Sequence, residues 1–98
     1  MNKTALITGA TSGIGRSTAI RLGQEGFNLI VCGRRQERLD DLCRELEKFT
    51  KVISLNFDVT DKIAVSNNLQ NLPAGFSNID ILINNAGNAH GLDPIENG

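Results

Sequence analysis

Four short apolar runs separated by three longer amphipathic ones leave this 98-residue chain few ways to fold. The apolar runs are Thr4 to Thr8, Asn28 to Cys32, Val52 to Phe57 and Ile79 to Ile83. Each is short and dense in Ile, Val and Leu, as strands buried on both faces are. The alternation predicts βαβ units and a parallel sheet. The first helix is expected from about Gly13 to Glu25, bringing Ile14, Ala19, Ile20 and Leu22 to the sheet, with Gly26 ending it in the left-handed conformation. The second carries Leu39, Leu42, Cys43 and Leu46 at i, i+3, i+4 and i+7, one apolar stripe on a solvated helix. The third opens with Thr60 as N-cap and Asp61 in its first turn, and runs through Ile63, Val65 and Leu69 toward Leu72-Pro73. Crossovers of this kind are right-handed, so the first three strands wind in one direction and the fourth goes to the other side of the first. The expected fold is a doubly wound α/β parallel sheet in the order 3-2-1-4, with a ligand beyond the carboxyl ends of the strands at the reversal.

The stretch Thr8-Gly9-Ala10-Thr11-Ser12-Gly13-Ile14-Gly15 falls at that reversal, between the first strand and the first helix. Glycines spaced Gly-x-x-x-Gly-x-Gly let the backbone turn sharply. They also let a pyrophosphate approach without meeting a Cβ, and let the helix sit close on the sheet. The unpaired amides at the helix N-terminus then point at the anion.

Length and charge bound the remaining possibilities. A chain of this size is one small domain, burying roughly 60–68% of its unfolded surface, and residues 1–98 read as a single dinucleotide-binding domain. Ten Lys and Arg against eleven Asp and Glu give a net charge of −1, so no overall field draws the chain to nucleic acid or to an anionic membrane. There is no apolar run of the eighteen or so residues that a membrane span needs and no cleavable leader, so a cytoplasmic protein is expected. Cys32 and Cys43 lack the spacing of a metal or redox pair and read as buried packing residues.

The chain resembles the N-terminal portion of a classical short-chain dehydrogenase/reductase, and the resemblance covers nearly all of it. Four features in order carry it: the loop from Thr8 to Gly15, in the family's Thr-Gly-x-x-x-Gly-x-Gly form; Cys32-Gly33-Arg34-Arg35; Asp58-Val59; and Asn84-Asn85-Ala86-Gly87. The fold so implied is of the Rossmann type, incomplete relative to the family. The resemblance implies that Gly9, Ala10, Thr11, Ser12, Gly13, Ile14 and Gly15 hold the pyrophosphate and that Asp58 and Val59 contact adenine. It also implies that Asn85, Ala86 and Gly87 line the nicotinamide-side ribose, with Asn84 bracing the sheet end as the alternative.

Charge points to the cofactor. An enzyme preferring NAD usually has an acidic side chain at the end of the second strand, which would repel a 2′-phosphate. Here that position is Gly33, followed by Arg34 and Arg35, whose guanidinium forks match phosphate oxygens. NADP(H) is therefore expected over NAD(H), with Arg34 as the main contact. A solvated Arg pair complementing Glu37 and Asp40 is the competing reading. Arg16 reads as a surface residue and, secondarily, as a second phosphate contact.

In the family a Tyr, a Lys, a Ser and an Asn carry out the proton transfer that accompanies hydride transfer. The segments bearing them lie downstream of this chain, which contains no Tyr, and no catalytic residue is assigned. The chain alone is expected to be inactive: a fragment, a truncated product or the ordered remainder of a longer protein. His90, the only histidine, reads as a solvent-facing loop residue because it has no positioned partner. The parent is expected to be an NADP-dependent carbonyl reductase or alcohol dehydrogenase, a homo-oligomer acting on a small molecule. The stretch from Asn88 to Asn97 resembles relatives acting on small hydroxy acids or β-hydroxy amino acids such as serine. A non-catalytic NADP(H)-binding module or a decayed paralogue is the alternative.

Overall fold

The structure, a computed structural model, describes residues 3–58, 61–76 and 78–85. The strands are β1 (Thr4–Thr8), β2 (Asn28–Gly33), β3 (Val52–Asn56) and β4 (Ile81–Asn84), and the helices are α1 (Gly13–Gln24), α2 (Gln36–Leu46) and α3 (Lys62–Gln70). They alternate as expected, and all pairings are parallel in the order β3-β2-β1-β4. The reversal lies between β1 and β4, where Ala5 aligns with Ile81 and Thr8 with Asn84.

Successive side chains of a strand face opposite sides of the sheet, and both sides here are covered. Ala5 and Ile7 of β1 and Leu29 and Val31 of β2 join Ala19 of α1 and Leu39, Leu42 and Leu46 of α2 in one buried cluster. Leu6, Ile30 and Cys32 point the other way, onto Phe57 and Phe76, with Ala64 and Val65 of α3 packed against them. Of the apolar stripe of α2, Leu39, Leu42 and Leu46 are buried as the spacing predicts, whereas Cys43, expected to be buried, is only partly so. Gly26, at φ 95°, ends α1 as expected.

Four further details differ from the sequence reading, each for a local reason. Ile14 is 75% exposed rather than facing the sheet. The buried positions of α1 are Gly15, Ala19 and Gly23, a small-residue stripe that rotates Ile14 outward by about 100° from its neighbour Gly15. The N-cap of α3 is Asp61, whose Oδ1 accepts from the amides of Ile63 and Ala64 at 3.1 Å; Thr60 lies outside the described residues. Ile63 and Leu69 are exposed, while Val65 packs against the core as expected, joined by Ala64. Finally, β4 begins at Ile81 rather than Ile79, because the Asp80 carboxylate accepts from Thr4 N at 2.9 Å. A side chain there takes the place of a backbone partner. Small shifts of one residue also occur at the ends of β2, β3 and α1.

Cys32 is fully buried, and desolvation pushes its thiol up to about 12. Partial burial also raises Cys43, with the charges of Glu47 and Asp40 adding to it and a hydrogen bond with Ser54 opposing it. Both thiols are thereby held in the unreactive protonated form at neutral pH.

Candidate functional site

The glycine loop is organised around one carbonyl. Gly9, at φ 63°, turns the chain out of β1 through a conformation that side-chain-bearing residues avoid. Its oxygen then accepts from Ser12 N at 3.2 Å, from Ser12 Oγ at 2.9 Å and from Asn85 Nδ2 at 3.1 Å. Asn85 Nδ2 also lies 2.8 Å from Ser12 Oγ, and its side chain is buried. The Ala10 amide donates to Cys32 O at 3.1 Å, which fastens the loop to β2. Above this knot passes α1. A Cβ on Gly15 would stand 2.2 Å from Gly9 O, 2.9 Å from Asn85 Nδ2 and 3.0 Å from the Ala10 Cα, so only glycine fits.

The knot diverts the residue that would otherwise cap α1. Ser12 occupies the N-cap position, yet its hydroxyl is turned to Gly9 and makes no cap hydrogen bond, and no acidic residue stands in the first turn. The contrast is α3, which Asp61 caps with two hydrogen bonds. The first amides of α1 and the positive end of its dipole are therefore left for an external anion. There is room for one beside them: a Cβ on Gly13 would meet nothing within 4 Å. Open space, uncapped amides and absent acidic groups together fit a phosphate group.

The second part of the site is the end of β2. A Cβ on Gly33 would touch the Thr11 methyl and Leu39 at 3.4 Å, so the glycine loop and the end of β2 lie in contact. Arg34 follows, 73% exposed, with one guanidinium nitrogen 3.4 Å from Oδ2 of Asp58. Exposed pairs of this kind contribute about 0–1 kcal/mol, so Arg34 is held loosely. Arg35 is the exposed N-cap residue of α2. Gln36 accepts from Asn56 Nδ2 at 3.1 Å and donates to Asp40 at 2.9 Å, which joins α2 to the end of β3. Arg16 pairs with Glu45 on α2.

Of the residues singled out from sequence, Gly9 to Gly15, Arg34, Arg35, Asp58 and Asn85 all lie in segments that leave the C-terminal ends of the four strands. Asn84 accepts from Thr8 Oγ1 at 2.9 Å and ties β4 to β1. Val59, Ala86, Gly87 and His90 lie outside the described residues. The pattern did not disclose that Asn85 clamps the loop through Gly9 and Ser12. The predicted strand order held the clue, since it sets the end of β4 beside the end of β1. Among the described residues, no group of three His, Cys, Asp or Glu could hold a metal ion, and no helix is long and apolar enough to cross a membrane.

A model of the short chain dehydrogenase family matches residues 3–97. The chain belongs to the short-chain dehydrogenase family. It is 51% identical over 94 residues to serine 3-dehydrogenase of Agrobacterium fabrum, covering 96% of this chain and 37% of that protein. To an NADP-dependent 3-hydroxy acid dehydrogenase of Shigella flexneri it is 47% identical over 89 residues, 91% of this chain and 35% of the other. The closed form of a serine dehydrogenase complexed with NADP+ superposes with a TM-score of 0.71 at 43% identity, over 81% of this chain and 31% of that one. This short-chain dehydrogenase chain thus spans a little over a third of the length of the curated relatives it matches.

Proposed function

We propose that this chain is the cofactor-binding part of an oxidoreductase that transfers a hydride between NADP(H) and a carbonyl or alcohol carbon. The observation that carries the reading is the end of β2, where Gly33 stands in the place of an acidic residue and an exposed Arg34 follows it. The similarity to proteins named as NADP-dependent or bound to NADP+ supports it. Residues 1–98 would then form one dinucleotide-binding domain within a larger enzyme.

In this reading the backbone from Gly9 to Gly15 holds the pyrophosphate, with Gly13 leaving the approach open. Arg34 and Arg35 take the 2′-phosphate of the adenosine ribose, Asp58 and Val59 the adenine, and Asn85, Ala86 and Gly87 the ribose next to the nicotinamide. When bound, the nicotinamide accepts or supplies the hydride. The residues of this chain bind and orient the cofactor, and Asn85 keeps the loop in shape. The substrate class is a small hydroxy acid or β-hydroxy amino acid, in line with the relatives named for serine and 3-hydroxy acids. The parent is further proposed to be a cytoplasmic homo-oligomer.

Thermal unfolding with each nicotinamide cofactor tests the reading. A ligand that binds the folded state alone stabilises it by RT ln(1 + [L]/Kd), about 2.7 kcal/mol at a hundredfold excess over Kd. NADPH is expected to raise Tm clearly and NADH far less at equal concentration; equal shifts would rule the proposal out. The same material is expected to leave NADPH unoxidised with any carbonyl, and measurable turnover by the pure chain would show that it holds a proton donor after all.

A further inference from the structure

Arg34 and Asp58 stand at the ends of adjacent strands whose register pairs Gly33 with Asn56. Phe57 N still donates to Gly33 O at 3.0 Å, so the two chains remain side by side just before the charged residues. The contact between the side chains is a single one, 3.4 Å from guanidinium nitrogen to carboxylate oxygen, with the side chains 73% and 44% exposed. Strong arginine–carboxylate pairs are bidentate and shorter. Asp58 is therefore near enough to offset the charge of Arg34 but holds it too loosely to fix its orientation.

We infer that Asp58 is a specificity-setting residue that weakens the preference of the β2 end for adenosine ligands bearing a 2′-phosphate. The inference rests on the proposed role of Arg34 as the phosphate contact. A phosphate dianion reaching Arg34 is attracted by the guanidinium and repelled by the carboxylate beside it, and both forces act through the same partly solvated medium. A ligand without the 2′-phosphate escapes that repulsion. The carboxylate thus lowers affinity for the phosphorylated ligand selectively, whatever it contributes to adenine binding.

The test uses 2′,5′-ADP and 5′-AMP, which differ only in the 2′-phosphate, as probes and takes the ratio of their dissociation constants, in which the adenine and 5′-phosphate contributions common to both cancel. Asp58→Asn keeps an acceptor oxygen and removes the charge. Relative to wild type, it is expected to raise the preference for 2′,5′-ADP about three- to tenfold at low ionic strength. The gain should shrink in 0.5 M salt, where the screening length falls to roughly 4 Å. Asp58→Glu, which keeps the charge, is expected to retain the wild-type ratio. Wild-type preference for 2′,5′-ADP combined with an unchanged or lower ratio in Asp58→Asn would overturn the role of Asp58 and leave Arg34 as the phosphate contact. A Glu variant that shifts as far as the Asn variant would also overturn it, by showing that shape rather than charge decides. A wild-type ratio near one would remove both the inference and the reading beneath it.

Discussion

Gly15→Ala is expected to lower the stability of the free chain by about 3 kcal/mol, the upper end of the usual cost of overpacking. For a domain of this size that is a fall in Tm of roughly 12–24 °C. The reason is the 2.2 Å separation between the added Cβ and Gly9 O. The atom in the way is backbone, anchored by Ser12 and Asn85, so no flexible side chain can swing aside. Either α1 lifts from the sheet or the knot around Gly9 breaks, and cofactor binding is lost with it. Gly13→Ala provides the contrast. Its Cβ meets no protein atom, and alanine favours helix by up to about 1 kcal/mol over glycine, so the free protein should be as stable as wild type or slightly more so. The same methyl group, however, stands where the pyrophosphate is proposed to lie, and a loss of NADPH affinity of about tenfold, ~1.4 kcal/mol, is expected. Denaturant melts and cofactor titrations on the two variants separate folding from binding; a fully stable Gly15→Ala chain would contradict the close approach of α1 to Gly9.

Arg34→Ala is expected to weaken NADPH binding by about ten- to a hundredfold while leaving NADH nearly unchanged. A charge-assisted hydrogen bond contributes roughly 1.5–3 kcal/mol, and every 1.4 kcal/mol or so is a factor of ten. Asp58 pushes the result toward the larger value, because removing the guanidinium takes away a cation that offsets the carboxylate near the phosphate. Cofactor preference in this variant should therefore fall to parity or turn toward NADH. Calorimetric titration of both cofactors at low and high salt checks this. Loss of affinity for both cofactors alike would assign Arg34 to general scaffolding, since NADH carries no 2′-phosphate to lose.

The strand order, the alternation of elements and the α2 stripe were all legible because each rests on a period or a handedness that large apolar residues display. The phase of α1 was not. Hydrophobic patterning weights Ile14 and passes over glycine, whereas the close packing of this helix depends on what Gly15 and Gly23 lack. The N-cap of α3 went to Asp61 over Thr60 because two capable oxygens stood side by side, and propensity does not say which one reaches the amides. The start of β4 shifted because Asp80 competes with the backbone through its carboxylate. The residues of the proposed site could be set out in order along the chain. The contacts that Asn85 makes with Gly9 and Ser12, and Arg34 with Asp58, join segments that only the folded sheet brings together.

The clamp on Gly9 comes from a residue 76 positions further along the chain. Contacts so distant in sequence close large loops, at a cost in chain entropy that neighbouring contacts do not carry. The first strand, the glycine loop and α1 can assemble locally, but the carbonyl at their centre acquires its Asn85 donor only when β4 docks against β1. The shape of the glycine loop is therefore a long-range property of this fold: the segment with the most recognisable sequence has its full set of contacts only with β4 beside β1.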